Sequence, residues 1–218
     1  GVVLEKQLNY WRRQLAGLPP VLALPTDRPR PAVMTYRGEV ESFAIDAEVT
    51  RRLVTLGREN GATLFMSLLA AYATLLWRYS GQPALAIGSP IANRNRRETE
   101  CLIGFFVNAL VLRVDLSDNP KFRELLGHVR RTCLDAYDHQ DLPFERLVEE
   151  LQPGRNLSHS PLFQVMLMLQ NAAGEAPDTT GLEITPVELK SPTAHFDMVL
   201  SLTESPDGLK GAWEYRTD

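Results

Sequence analysis

Residues 63–91 read TLFMSLLAAYATLLWRYSGQPALAIGSPI. Thr63 is placed to cap a helix with its side-chain oxygen. Leu64, Phe65, Met66, Leu68, Leu69, Leu75 and Leu76 then leave almost no polar face up to about Tyr79. A helix that is apolar on nearly all sides needs other elements to cover it. Residues 84–91 follow as a short apolar run of strand length, which reads as a buried strand. A covered helix feeding a covered strand is the kernel of an α/β protein.

Upstream, Leu4, Leu8, Trp11, Leu15 and Leu18 recur at intervals of 4, 3, 4 and 3, one face of a helix over residues 4–18. Pro19 and Pro20 are expected to stop it, because proline lacks the amide that a helix interior uses. Pro20, Pro25, Pro29 and Pro31 then stiffen an extended connector. Residues 1–36 therefore form a leading helix and a Pro-rich connector, and residues 37–218 the main body. Residues 37–45 read as a strand. Asp46 is placed to cap the next helix, with Val49, Leu53 and Leu56 on one face, and Asn60-Gly61 ends it.

Downstream, a polar loop runs from Asn93 to Glu100, and residues 105–115 alternate as a long strand. Pro120 suits the first position of a helix reaching Tyr137, whose face is Phe122, Leu125, Leu126, Val129, Cys133 and Leu134. Asp141 is placed to cap a short helix carrying Phe144, Leu147, Val148 and Leu151. Strand patterns return at 163–170, 183–189, 197–204 and 209–216, the last two joined by the turn Pro206-Asp207-Gly208. The expected fold is α/β, with helices packed on a mixed sheet of about five or six strands.

The chain has 218 residues and a net charge of −4, which lacks the basic footprint of a nucleic-acid binder. No apolar run reaches the ~18 residues that a membrane span needs. Cys101 and Cys133 sit in neither a C-x-x-C pair nor a zinc spacing. Cys133 reads as a buried reduced thiol, a usage that fits a cytoplasmic protein. His128, His139, His159 and His195 form no i, i+3 or i, i+4 pair, so no metal site is expected. There is no G-x-S-x-G elbow and no Walker loop. His195, before Phe196-Asp197, is a weak candidate for a functional role. Gly1 falls inside a helical pattern and Asp218 directly follows a strand, so both ends read as cut points.

Three segments are more specific than any single residue. The first is Ser89-Pro90-Ile91-Ala92-Asn93-Arg94 followed by Ile103-Gly104-Phe105-Phe106-Val107-Asn108. The second is His139-Gln140-Asp141-Leu142-Pro143-Phe144-Glu145, and the third runs from Arg155 through Ser158 to Gln164. In this order and at these distances they resemble the fifth, sixth and seventh core motifs of nonribosomal peptide synthetase condensation domains. Ala109 stands where the fifth motif, I-G-x-F-V-N-T, has Thr. The sixth, H-Q-D-x-P-F-E, is complete. In the seventh, R-D-x-S-R-N-P-L, Asn156, His159 and Ser160 replace Asp, Arg and Asn. Tyr10-Trp11 and Leu24 to Pro29 resemble the stretch that leads into this half.

The resemblance covers essentially the whole chain and implies the C-terminal subdomain of a condensation domain, with a chloramphenicol-acetyltransferase-like two-layer sandwich. It implies peptide-bond formation between thioesters carried on 4′-phosphopantetheine arms, with no cofactor attached to this chain. Expected partners are the N-terminal condensation subdomain, donor and acceptor peptidyl carrier proteins and an adjacent adenylation domain; neither nucleic acid nor membrane is expected. The family's catalytic H-H-x-x-x-D-G motif is not found here, since no histidine has an Asp four residues later. No catalytic residue is therefore assigned, and the fragment alone is expected to be inactive. The alternatives are a non-catalytic relative that recruits a tailoring enzyme and a relative that epimerises a tethered residue.

Asn108 then has two readings of equal weight: its amide bonds substrate carbonyl or pantetheine in the tunnel, or it caps an irregularity in the strand. Gly104 is a further candidate for the tunnel and permits close backbone approach or a bulge. His139 and Gln140 are candidates to face the tunnel. Asn93, Arg94 and Arg96 belong to a loop crossing between subdomains, with Arg94 and Arg96 either meeting carrier proteins or solvated. Asp141, Pro143 and Phe144 are read as structural, and Arg155 and Ser158 as fixing the loop into the strand at 163–170. A half separated from its partner should expose an apolar or mixed patch near residues 88–110, which drives self-association. Sedimentation velocity at high concentration checks this; a clean monomer would contradict it.

Overall fold

The computed structural model describes residues 1–94, 97–151, 154, 156–170 and 192–218. The kernel is the 17-residue helix α3 (Leu64–Ser80), preceded in sequence by α1 (Val2–Leu15) and α2 (Ala47–Glu59). Thr63 Oγ1 accepts the Met66 N–H at 3.2 Å to start α3, and Gly81, at φ +67°, ends it. Leu69, Ala70, Ala73 and Leu76 are fully enclosed.

Among the described residues, six strands form one mixed sheet in the order β1-β6-β5-β4-β2-β3. They are β1 (Gly38–Asp46), β2 (Ala84–Ile91), β3 (Asn108–Asp115), β4 (Val165–Gln170), β5 (Met198–Ser205) and β6 (Gly208–Arg216). β2 is antiparallel to β3 and parallel to β4, β4 is parallel to β5, and β6 is antiparallel to both β5 and β1. α2 lies against β1 and β6, and α3 against β2. The polar loop after Asn93 contains one helical turn, α4 (Arg97–Glu100). α5 (Phe122–Tyr137) lies against β3 and α3; α6 (Phe144–Leu151) meets β3 and α1. The α/β class and the strand number match the expectation.

Several boundaries differ. α1 ends at Leu15, where Ala16 turns extended and Gly17 takes φ +72°, so a glycine rather than Pro19 stops it. Pro120 precedes α5 by two residues; Lys121 holds the cap position and Glu124 accepts its N–H at 2.8 Å. The third strand begins at Asn108 instead of 105, because β2 offers no partner beyond Ile91. The strand expected at 183–189, Arg96 and Arg155 lie outside the described residues.

Two glycines admit aromatic rings to the sheet. A Cβ on Gly88 would overlap the Phe163 ring, and one on Gly211 would overlap Phe43, its direct partner across β1 and β6. Phe163 also contacts Phe144 (centroids 5.4 Å apart) and Phe196 (5.2 Å). Gly208 closes the two-residue β5–β6 turn at φ +123°, pressed against the backbone of Ile45 and Asp46. Cys133 is fully buried on α5, and burial pushes its thiol up to about 12. Cys101 is exposed.

Phe163→Ala should destabilise the fold by about 3–5 kcal/mol in urea unfolding, because the ring is enclosed and Gly88 cannot fill the gap. Iodoacetamide at neutral pH should label Cys101 alone in the native chain and Cys133 only after denaturation, as intact mass would record.

Candidate functional site

Asn108 opens β3 opposite Ile91, the last residue of β2. Its side chain is buried and forms three hydrogen bonds with a segment 32–36 residues away. Nδ2 donates to the carbonyls of Gln140 (3.0 Å) and Leu142 (2.9 Å), and Oδ1 accepts the Phe144 N–H (3.0 Å). Both amide hydrogens are thus spent on backbone, which leaves no donor for a substrate carbonyl. These bonds are of the kind the cap reading expects, while the carboxamide oxygen keeps a second lone pair with which a tunnel contact is compatible. The same bonds correct the reading of Asp141. It stays exposed, while the first amide of α6 is capped from across the fold by Asn108. The Pro143 carbonyl accepts the Leu147 N–H at 3.0 Å, so the proline stands just outside the helix.

The residues before this staple are held from the other side by α1. Trp11, itself buried, donates its indole N–H to the His139 carbonyl at 2.9 Å. The His139 ring stacks on Tyr10 at 4.0 Å and 9°, and its Nδ1 lies 2.7 Å from the Asp135 carbonyl. Burial first, then the nearby Asp135, Cys133 and Asp138, drives the Tyr10 hydroxyl well above the usual phenol range. Tyr10 therefore serves as a stacking plate and not as an acid or base at neutral pH. Gln140 Nε2 donates to the Tyr137 carbonyl at 2.8 Å. His139 and Gln140 stand together with Asn108, and each is bonded to backbone.

The segment that leads into Asn108 is pinned from within. Asn93 adopts φ +51°. Arg94 folds back over its own loop: Nη1 donates to the Leu102 carbonyl (2.9 Å) and to that of Thr99, and the guanidinium lies 4.4 Å over the Phe106 ring. These contacts engage Nη1 and one face of the guanidinium, and Arg94 stays partly exposed. Gly104 sits where a Cβ would stand 3.0 Å from the Phe106 ring, in line with close approach. Between these anchors Leu102, Ile103, Phe105 and Val107 point outward, with Ile103 fully exposed and Phe105 at 90%. This apolar strip falls within the patch expected near residues 88–110. What the arrangement offers is an exposed apolar strip anchored at both ends.

A second set of tethers joins segments that the sequence motifs leave unconnected. Gln164, buried at the end of the third motif, accepts the Leu22 N–H (2.8 Å) and donates to the carbonyls of Pro20 (3.2 Å) and Ser160 (3.0 Å). Gln82 accepts the Ala23 N–H at 2.7 Å and donates to the Val21 carbonyl at 3.0 Å. Asp197 binds Arg30 through both carboxylate oxygens and Arg216 at 3.3 Å, and both guanidiniums also reach the Ser158 carbonyl at 3.3 Å. The bond to Asp197 holds Arg30 even more firmly protonated than usual. Ser158 thus acts in the fold through its carbonyl. A lone Asp after His195-Phe196 and a polar Gln164 ending an apolar motif were the available signals. His195 itself is exposed.

Comparison with known proteins places these features. A family model described as a condensation domain matches residues 3–218. A linear gramicidin synthase protein of Brevibacillus parabrevis is 54% identical over 220 residues, covering 100% of this chain and 3% of that protein. The X-domain from teicoplanin biosynthesis superposes with a TM-score of 0.89 at 30% identity, covering 100% of this chain and 50% of that one. The X-domain in its complex with OxyB gives 0.88 at 31%, covering 99% and 48%. The chain thus spans a small part of the synthase and about half of each X-domain.

Asp197→Ala should cost about 1.5–3 kcal/mol in urea unfolding, because it takes a charged hydrogen-bond partner from Arg30 and from the buried Arg216, which keeps only Asp218 as an acidic partner. Asp141→Ala should change stability by less than about 0.5 kcal/mol, because the cap belongs to Asn108.

Proposed function

The chain belongs to the condensation-domain family, and from that premise we propose that it is the C-terminal half of a peptide-bond-forming domain of a nonribosomal peptide synthetase. Donor and acceptor would arrive as thioesters on the phosphopantetheine arms of two carrier proteins. The acceptor amine attacks the donor carbonyl, the C–N bond forms as the C–S bond breaks, and the thiol leaves with the proton lost by the amine. The observation that carries this reading is the exposed strip Leu102, Ile103, Phe105 and Val107, held in one position by Arg94 and Asn108. A large apolar surface kept rigid calls for a cover. In this reading the cover is the N-terminal half bearing H-H-x-x-x-D-G, and this half supplies the opposite wall. Holding two tethered reactants in line itself supplies much of the rate. Adenylation would be the task of a neighbouring domain. This half carries no H-H-x-x-x-D-G motif, and in this reading it is inactive alone.

A second reading is favoured by the likeness to the X-domain solved with OxyB. In it the chain belongs to a non-catalytic module that docks a partner enzyme. An epimerising relative is the third reading, and the complete I-G-x-F-V-N and H-Q-D-x-P-F-E blocks favour a condensing member over both.

Reconstitution separates them. The chain is co-expressed with an N-terminal half bearing H-H-x-x-x-D-G, two loaded carrier proteins are added, and dipeptidyl thioester is sought by intact mass. Product that disappears when the second His of that motif is replaced is the expected result. A well-formed complex without product would favour the docking module. Ile103→Glu combined with Phe105→Glu should abolish assembly, as co-purification would show.

A further inference from the structure

We propose that Asn108 is a positioning residue of the peptide-bond-forming site, setting from behind where the apolar strip 102–107 stands without touching substrate; this rests on the condensing reading above. The strip has two anchors. At its start Arg94 ties the carbonyls of Thr99 and Leu102 and covers Phe106. At its end the chain passes directly from the exposed Val107 into the buried Asn108. Beyond Ile91 no β2 residue pairs with the strip, so its exit direction is set where Asn108 is gripped.

The bonds to its side chain come from the 140–144 backbone, which α1 braces in turn through Trp11 and the Tyr10–His139 stack, while β2 pairs with its main chain at Ile91. A wall pivoting at Asn108 moves its outer side chains together. Misplacement of about 1 Å at reacting groups costs on the order of a hundredfold in rate. The carboxamide is needed as such: two donors face two carbonyls and one acceptor faces one amide. Aspartate has the same shape but keeps only the acceptor, and it would turn carboxylate oxygens toward the Gln140 and Leu142 carbonyls.

The test uses the intact condensation domain, both halves present, with loaded carrier proteins. Asn108→Asp is measured for kcat, for KM of the acceptor carrier protein and for hydrogen exchange resolved by segment. Exchange at 102–107 and 140–144 should quicken about tenfold while β5 and β6 keep their protection. kcat should fall about a hundredfold with KM within about twofold. If the variant does not fold, Asn108→Ser, which keeps a hydroxyl for one of the three partners, carries the same measurement. A loss of kcat with protection of the strip unchanged would assign Asn108 a direct role and overturn the proposal. Quickened exchange with unchanged kcat would overturn it too, as would a uniform loss of protection across the sheet. A wild-type domain that makes no product would defeat the condensing reading itself, a failure distinguished by its appearing without any substitution.

Discussion

One carboxamide joins two segments that neither segment could hold alone. Among the described residues no strand lies beside the six that precede Asn108, and α6 is only eight residues long. Helices that short are marginal in water and need tertiary support. Asn108 supplies it by capping α6 while anchoring the first residue of β3. A buried amide with an unmade bond costs about 1–3 kcal/mol, so a site that satisfies three of its bonds at once strongly disfavours alternative loop positions. The geometry then spreads outward. α1 braces the 139–140 backbone through Trp11, and Arg94 braces the far side of the strip.

The rest of the molecule follows the same logic of tying irregular backbone to regular elements with polar side chains. The connector after α1 has prolines in place of a hydrogen-bond ladder, and Gln82 and Gln164 restore four of its backbone bonds. Asp197, at the threshold of β5, gathers Arg30 from the connector, Arg216 from β6 and, through those guanidiniums, the Ser158 carbonyl. Buried charge adds little net stability, but its unpaired partners are costly. Such a cluster therefore selects one arrangement over others more than it strengthens the fold.

The regular elements are legible in the sequence because each announces itself locally. Thr63 and Asp46 cap the helices they precede, and Val49 gives its amide to Asp46 at 2.8 Å. Where sequence and structure part, the deciding partner lies far along the chain. Asp141 looks like a cap, yet the cap is Asn108, more than thirty residues earlier. Residues 105–107 alternate like a strand, yet among the described residues no neighbouring strand reaches them. Arg94 has the look of a solvated charge because the ring that receives it, Phe106, is twelve positions on. The motifs identify the family of the site. Which atoms of those motifs face inward is a property of the packed chain.

Every partner of Asn108 is a main-chain atom: two carbonyls and one amide. The join is therefore blind to which side chains occupy positions 140 and 142, and at 144 it rejects only proline, which has no N–H to give. An exposed position on that loop such as Asp141 is free to drift without loosening the seam, whereas Leu142 is held by the core and Phe144 by Phe163. Halves from different parents could be grafted at this seam with the asparagine kept and the loop's outward chemistry exchanged.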